Sequence, residues 1–401
     1  MPFLKLFGKN KPNTPQSFVV VGVDSNDVVC LRVETSDGNV KIVGAEKQGI
    51  PNGSVILGNI ENPSAVLMAL GECLDRLDKI DENLEDAPKD MVFVLSGGNS
   101  LGLMTAAKVR RDGTKPLSVK ELDLVYKKTT EASLMKMQSE LLVQKGNSEI
   151  DMELVTSSVL YTRLDDKNVL NPVGMECSTL EMAIFTSFAP KEHLKMLNKL
   201  AKSVGFKLIG QGYDVFSLVN TMEKTDLENI NYVLIHMGSD FTNVGIIFGG
   251  GLITTKVLPV GRDHFAKEIS QELGIAYREA DEMLSKYSSD SLSESENLMV
   301  RNALQDVLKI WLSGVELLFA EFSGIKTFAS RIYLAGEGFD VPDIYEVLVT
   351  EPWTKSIPFR EPPEFSKLPL SEISVISDLS GKATSLEWTM PATLSISFLD
   401  R

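Results

Sequence analysis

Three short segments of the chain contain glycine, hydroxyl or carboxylate residues of the kinds found in phosphate-binding turns. Each follows an apolar, β-rich run, so each is expected at the end of a strand. A magnesium nucleotide needs backbone N–H groups that approach its phosphates closely and a carboxylate that orders the water molecules of the metal. The sequence therefore predicts a nucleotide-type site, and its candidate residues are Asp24, Ser25, Asn26, Gly238, Ser239, Thr242, Gly336 and Gly338.

The chemistry of this candidate site is weak for a nucleotide. Gly238 stands alone between His236 and Asp240, where close contact with phosphates usually requires several glycines. Asp27 follows the first turn, and its negative charge would repel a nearby phosphate by about 1 kcal/mol in water and by more when buried. We expect weak binding of ATP and magnesium or none, and no useful hydrolysis. The sequence predicts no catalytic residue and no metal ligand.

Two similar β-meanders would position these residues. One is predicted within residues 18–46 and the other within residues 232–260, and two copies of one meander indicate a duplicated fold with a cleft between its halves. Residues 331–348 have the pattern of a strand, a glycine turn and a helix, and a glycine turn that opens a helix can receive a phosphate. Each meander taken alone is equally compatible with a structure that binds nothing.

Beyond these turns, the most distinctive segment is residues 159–190, in which residues 171–175 read Asn-Pro-Val-Gly-Met. This stretch matches a signature of the FtsA cell-division proteins, which the chain resembles from Phe18 onward, with the related PilM pilus-assembly proteins second. Residues 258–284 are similar to the segment after the second phosphate loop in both families. The resemblance implies an α/β, actin-like fold of the heat-shock ATPase and sugar kinase type, two-lobed and duplicated, with an inserted α+β subdomain.

The resemblance also implies losses in the phosphate loops. The second loop of the family is an acidic residue, three glycines, two hydroxyl residues and another acid, whereas residues 236–243 lack both acids at their places. In the first loop Asp24 matches, but the expected glycine, hydroxyl residue and lysine do not follow it. In the helix after Gly274, the acid and lysine pair of the family becomes Asp281 and Leu284. These departures favour a degenerate nucleotide pocket.

We divide the chain into five parts. The expected boundaries are residues 1–17 for an N-terminal tail, 18–88 with 191–230 and 370–401 for the first lobe, 89–190 for the inserted subdomain, 231–262 with 323–369 for the second lobe, and 263–322 for a small helical subdomain of the second lobe. In FtsA-like proteins this small subdomain receives the C-terminal tail of the tubulin-like protein FtsZ. The resemblance implies a similar groove near residues 297–322, without assigning individual residues to it.

Composition restricts the classes of partner. The chain has 401 residues, 43% of them hydrophobic, and can bury more than one core. Its formal net charge of −15 disfavours nucleic acid, so no nucleic-acid partner is expected. Its three cysteines lack zinc-type spacing and indicate a reducing compartment without disulfides. No apolar run approaches the ~20 residues that span a bilayer. These features predict a cytoplasmic protein.

The first residues form a small amphipathic segment. Lysines alternate with large apolar side chains there, and a short helix would place an apolar foot and a basic patch on a membrane surface. The residues expected to contact the membrane are Phe3, Leu4, Lys5, Leu6 and Phe7. The alternative is a frayed tail, since terminal residues are often disordered. FtsA-like proteins usually carry their membrane helix at the C-terminus, whereas residues 392–401 of this chain predict a strand-like or buried end.

These observations predict a cytoplasmic adaptor or scaffold of bacterial cell division, located at the inner face of the membrane, that self-associates and docks an FtsZ-like protein. Two alternatives stay open. One is an ATP-binding, polymerising actin-like ATPase that uses the candidate residues above. The other is a PilM-like platform protein of type IV pilus assembly that binds a short tail of a membrane protein.

Overall fold

The computed structural model describes residues 17–79, 88–97, 101–113, 115–145, 150–224, 230–322 and 324–399. Its strands are β1 Ser17–Val23, β2 Asp27–Ser36, β3 Asn39–Gly49, β4 Val55–Ile56, β5 Asn59–Ile60, β6 Asp90–Leu95, β7 Leu101–Arg110, β8 Met152–Leu164, β9 Lys167–Asn168, β10 Thr179–Pro190, β11 Lys207–Tyr213, β12 Tyr232–Met237, β13 Thr242–Phe248, β14 Gly251–Leu258, β15 Arg331–Ala335, β16 Glu364–Lys367 and β17 Ile376–Asp378. Its α-helices are α1 Pro63–Asp78, α2 Val119–Lys145, α3 Lys191–Ser203, α4 Asp214–Lys224, α5 Arg262–Leu273, α6 Tyr277–Ser288, α7 Glu294–Ala320, α8 Pro342–Thr350 and α9 Thr389–Ile396.

The first sheet has six strands in the order β11-β6-β1-β2-β3-β17. β1, β2 and β3 form the expected antiparallel meander, and β6 and β11 continue the sheet in parallel beyond β1. Val19 and Val21 of β1 pack in one core with α1 and α3, while Phe18 and Val20 pack in a second core on the other face. A nearly continuous apolar run is typical of a strand that is covered on both sides.

Residues 90–95 correct one expected boundary. The sequence analysis placed them in the inserted subdomain, but they form β6, which pairs in parallel with both β1 and β11 of the first sheet. Met91, Val92 and Phe93 are fully buried, as an interior strand requires. The strands of the insert begin with β7, so the boundary expected at residue 89 lies one strand too early.

The second sheet repeats the order of the first and then continues into the insert. β12, β13 and β14 form the second meander, with β15 and β16 added in parallel beyond β12. On the other side, β14 meets β7 at Thr254, opposite Leu103, and β10, β8 and β9 follow to give the order β16-β15-β12-β13-β14-β7-β10-β8-β9. The equivalent arrangement of strands in both sheets confirms the predicted internal duplication.

Helices α5, α6 and α7 cover one face of the second meander. Phe265 of α5 and Trp311 of α7 are fully buried there, with their ring centroids 6.5 Å apart. α7 begins with a capping box, in which Ser293 and Glu296 each accept a backbone hydrogen bond from the other residue. This cap and the apolar stripe explain why the helix starts where it does and which face it buries.

A core shared by both lobes lies below the cleft. It joins Leu31 of the first sheet to Leu234 of the second through α4 and α9, whose Leu218 and Leu394 belong to the same cluster. The chain end expected to be strand-like or buried is helical in α9, and every residue of that helix is buried. Pro391 lies in its first turn, where a missing N–H costs no hydrogen bond. The shared core fixes how the two halves of the cleft face each other.

Candidate functional site

The two meanders bring their turns together at a narrow cleft. The turns that follow β1, β12 and β15 all border one cavity of about 60 Å³, which is room for roughly two water molecules. Of the eight predicted residues, the cavity is lined by Asp24, Gly238 and Gly336. The structure therefore places the three predicted turns at one site.

The first turn is bonded to the second lobe. Ser25 Oγ donates a hydrogen bond of 2.7 Å to Oδ2 of Asp263, and Asn26 Nδ2 donates to Oδ1 of the same carboxylate. Tyr277 Oη donates to Asn26 Oδ1 at 3.1 Å. Asp24 accepts from the Ser25 backbone N–H at 2.8 Å. The polar side chains that were predicted to hold a phosphate thus hold groups of the protein itself.

The second turn is covered by an aromatic ring. A Cβ placed on Gly238 would lie 2.9 Å from the Phe241 ring and 3.5 Å from Asp24 Oδ2. The ring also lies 3.1 Å from the position of a Cβ on Gly97, a residue of the first lobe, and is almost fully buried. Asp240 accepts a hydrogen bond from the backbone N–H of Leu57, again across the cleft. Phe241 was not among the predicted residues.

Thr242 lies in the same turn but has a structural environment. Its hydroxyl donates to the carbonyl of Val260 at 2.6 Å and accepts from Trp311 Nε1 at 2.9 Å, and the residue is fully buried. Both bonds fasten β13 to the neighbouring loop and to α7. The structure does not bring Thr242 to the cavity with the other candidates.

The third turn needs its glycines for packing. Gly336 has φ of +94°, and a Cβ there would lie 2.3 Å from the carbonyl oxygen of Met237. A Cβ on Gly338 would lie 2.0 Å from the sulfur of Met237. Between them stands Glu337, whose carboxylate accepts from Ser239 Oγ at 2.5 Å. Ser239 therefore donates to a protein carboxylate at this turn.

Carboxylates dominate the electrostatics of the cleft. Burial opposes ionisation of Glu337, but the positive charges of Arg262 and Lys47 outweigh it and lower its pKa. Burial and the charge of Glu337 raise the pKa of Asp24 well above its usual range. Burial also raises the pKa of Asp263 to about 6. Ionisation is therefore favoured at Glu337, while the raised pKa values of Asp24 and Asp263 disfavour further negative charge in the cleft.

Two cations compensate part of this charge from the edges. Lys47 Nζ lies 3.0 Å from Asp27 Oδ2 and 2.5 Å from Glu387 Oε2. Arg262 pairs with Asp281 and donates to Ser285 Oγ at 2.8 Å. Both cations are already held by carboxylates, so a phosphate would compete with these partners for them.

A buried His–Asp pair forms the floor of the cavity. His236 Nδ1 lies 3.4 Å from Asp214 Oδ2, and Asp214 is fully buried at the start of α4. The His236 ring also packs edge-on against Phe241. His236 presents an imidazole at the cavity, where the water molecules of a metal ion would need a carboxylate.

A second concave surface lies between α7 and α8, and its α7 side falls within residues 297–322, where the family resemblance implies a partner groove. It has a volume of about 960 Å³, the size of a typical ligand or peptide pocket. Its apolar side chains are Leu308, Leu312, Val347, Pro352 and Trp353. Charged side chains of both signs line the same groove, Arg301, Lys309, Lys355, Glu316, Glu346 and Glu351 among them.

The remaining predictions concern metal and membrane. Across the described ranges, no three His, Cys, Asp or Glu side chains are placed to hold a metal ion together. Phe3, Leu4, Lys5, Leu6 and Phe7 lie outside the described residues, so the predicted membrane contact stays a prediction. Among the helices that the structure describes, none has the length and apolar character needed to cross a bilayer.

The sequence is similar to cell-division proteins. It is 22% identical over 277 residues to the cell division protein FtsA of Helicobacter pylori strain J99, a match that covers 67% of this chain and 56% of that protein. FtsA of H. pylori strain 26695 is 21% identical over 303 residues, covering 71% of this chain and 59% of the other. The matched region therefore spans a little over half the length of these relatives. No family model matches the sequence.

Solved structures extend the comparison to nearly the whole chain. The PilM-PilN type IV pilus biogenesis complex includes a chain that superposes with a TM-score of 0.64 at 12% identity, covering 96% of this chain and 98% of that one. The ethanolamine utilization protein EutJ of Carboxydothermus hydrogenoformans superposes with a TM-score of 0.52 at 9% identity, over 96% and 91% of the two chains. The protein is thus a two-lobed, actin-like α/β protein, similar to FtsA in sequence and to PilM in fold.

Proposed function

We propose that this protein is an FtsA-like cytoplasmic adaptor of bacterial cell division that works without a nucleotide. The observation that carries the proposal is the size of the cleft. A cavity of about 60 Å³ is several-fold smaller than the ~300–1,000 Å³ of ordinary small-molecule sites. In this proposal the two-lobed fold binds protein partners on its outer surfaces instead of a nucleotide in its cleft.

The groups around the cavity also fit a triphosphate poorly. Phe241 covers Gly238, so the backbone N–H groups of this turn are shielded from an incoming phosphate. The ionised carboxylate of Glu337 would face the polyphosphate, and the donors Ser25 and Asn26 are engaged by Asp263. Binding would require breaking these bonds and adding negative charge beside negative charge.

Calorimetric titration with magnesium ATP tests this part of the proposal. We expect no binding heat and no thermal shift at millimolar ATP, with an actin-like ATPase as the positive control. Micromolar binding to the wild-type protein would refute the proposal and favour the alternative of an ATP-dependent, polymerising ATPase.

We further propose that the groove between α7 and α8 docks a short tail of an FtsZ-like protein. The groove is large enough for a peptide, carries apolar side chains among its charged ones, and is lined on one side by α7, which belongs to the subdomain where the resemblance implies such a site. Fluorescence anisotropy with a labelled FtsZ tail peptide measures this binding. Val347→Arg places a charge in the groove and is expected to weaken binding at least about tenfold. Val349→Arg, an exposed position of the same helix outside the groove, is the matched control.

A second candidate function is that of a PilM-like platform protein in type IV pilus assembly. The observation in its favour is the superposition on PilM, which covers 98% of that chain, whereas the FtsA match covers little more than half of FtsA. The same anisotropy assay with a cytoplasmic tail of a PilN-type protein separates the two. Binding of the PilN-type tail without binding of the FtsZ tail would assign the pilus role.

We further propose that the adaptor binds the membrane surface and self-associates. Phe3, Leu4, Leu6 and Phe7 would contact the lipid surface beside Lys5, and co-sedimentation with liposomes is expected to fall when residues 1–12 are deleted. Unchanged co-sedimentation would refute the proposed membrane contact of these residues. Light scattering of the full chain, at increasing concentration and without ATP, tests whether self-association is independent of nucleotide.

A further inference from the structure

We propose that Asp263 acts as a built-in substitute for a ligand phosphate: its carboxylate occupies the first turn of the cleft and holds the two lobes closed. This inference rests on the proposed function, in which no nucleotide performs that role. Asp263 belongs to α5 of the second lobe, and the turn that binds it follows β1 of the first lobe.

The geometry is that of a bound anion. Both carboxylate oxygens of Asp263 are used, Oδ2 by the Ser25 hydroxyl at 2.7 Å and Oδ1 by the Asn26 amide. Asn26 is oriented from its other end by Tyr277, which donates to its carbonyl oxygen at 3.1 Å. Hydrogen bonds to a charged acceptor are stronger than those between neutral groups. Asp263 is only 3% exposed, so water competes little for these bonds.

The position of Asp263 at the start of α5 supports its charge. Its backbone N–H donates to the Ser239 carbonyl at 2.7 Å, which ties the helix start to the second turn. The first turn of a helix favours a negative side chain because of the helix dipole. Burial and the charge of Glu337 nevertheless raise the pKa of Asp263 to about 6, against the opposing effect of Lys267, so the carboxyl group is mostly ionised at pH 7.

A second contact across the cleft repeats the pattern. Asp240 of the second lobe accepts from the backbone N–H of Leu57 in the first lobe, where Leu57 has a left-handed φ of 47°. Phe241 lies beside it, against Gly97. We call the contacts of Asp263 and Asp240 with the first lobe the interlobe clasp. In both, a carboxylate from one lobe is bound by donors of the other.

Spin-label distance measurement between the lobes tests the clasp. Labels at Asn52→Cys and Glu279→Cys stand on exposed positions of opposite lobes, and the three native cysteines are buried. We expect one narrow distance distribution without any nucleotide. Asp263→Asn is expected to add a second, longer distance. Asp343→Asn changes a buried carboxylate within the second lobe and is the matched control, with no new distance expected.

A pair of tyrosine variants removes one hydroxyl at a time, so the test does not depend on the folding of Asp263→Asn. Tyr277→Phe loses the bond that orients Asn26 and is expected to shift the same distance distribution toward the longer value. Tyr287→Phe loses a comparable bond to Asp343, 2.6 Å long and inside the second lobe, and should leave the distance unchanged. Equal effects of the two variants would overturn the clasp.

A double-variant cycle measures the central bond. Ser25→Ala and Asp263→Asn are expected to be non-additive by about tenfold in the unfolding equilibrium constant, because each removes the same charge-assisted bond. Additive effects and an unchanged interlobe distance refute the inference even if the wild type binds no ATP. Micromolar ATP binding by the wild type refutes the proposed function instead, so the two failures are distinguishable.

Discussion

Asp27→Asn is expected to stabilise the protein at alkaline pH and to leave its stability nearly unchanged in acid. The side chain of Asp27 is 13% exposed, and burial raises its pKa to about 7, against an ordinary value of 3.8. Lys47 opposes this rise, while Glu337 and Glu387 add to it. The folded state therefore prefers the neutral form of this carboxyl group more than the unfolded chain does.

The sign and size follow from linkage. Because the pKa is raised on folding, the stability contributed by the neutral group is present below about pH 4 and is lost as the pH rises through 7. One pKa unit is worth about 1.4 kcal/mol, so the loss reaches about 4 kcal/mol at most. Asparagine keeps the shape without the charge, but Lys47 then loses one charged partner and keeps Glu387. We expect a net gain of about 2 kcal/mol at pH 8.5.

Urea denaturation followed by circular dichroism at pH 4.5 and at pH 8.5 measures the effect. The wild type should lose stability between these two pH values, and the variant should lose less. Equal destabilisation by Asp27→Asn at both pH values would refute the reasoning, because it would mean that the ionised carboxylate stabilises the cleft through Lys47.

Three further changes test the site. Thr242→Val should cost about 2–4 kcal/mol in urea denaturation, since the Val260 carbonyl and the Trp311 indole lose their buried partner; no loss would return Thr242 to the list of ligand-binding candidates. Gly336→Ala should cost about 3 kcal/mol or more, because its Cβ would overlap the backbone of the neighbouring strand at a left-handed φ. Gly381→Ala, with φ of +67° and open surroundings, is its control and should cost about 1 kcal/mol. Glu337→Gln should raise the fraction of ionised Asp24, which carbonyl-resolved NMR detects as a lower pKa; an unchanged pKa would contradict the coupling of the two groups.

Much of the fold follows from local patterns. The apolar runs of both meanders form strands where the sequence predicts them, because burial of a strand face is encoded locally. Membership in a sheet is not encoded in this way. Residues 90–95 have the pattern of a buried strand, but nothing in their own sequence says that they pair with β1 instead of beginning the insert.

The site was predictable up to the turns. Asp24, Gly238 and Gly336 were found because turn chemistry is local, and the structure brings them to one cavity. Asp263 escaped sequence reasoning because its partner Ser25 is 238 residues away, and no local pattern distinguishes it from any other acidic residue at a helix start. Phe241 was not predicted for a different reason: an aromatic residue just before a strand has the pattern of an ordinary core residue.

The junction of β14 with β7 affects how the insert can be studied. Cutting the chain to remove β7 through β10 would break the pairing of β14 at Thr254 and leave that side of β14 without its neighbour in the sheet. An unpaired edge strand can form hydrogen bonds with strands of other chains, so the truncated protein would tend to aggregate or to dimerise through this edge. Loss of partner binding by a deletion variant could then result from aggregation through the exposed strand edge. Point substitutions on the surface of the insert test its role without exposing that edge.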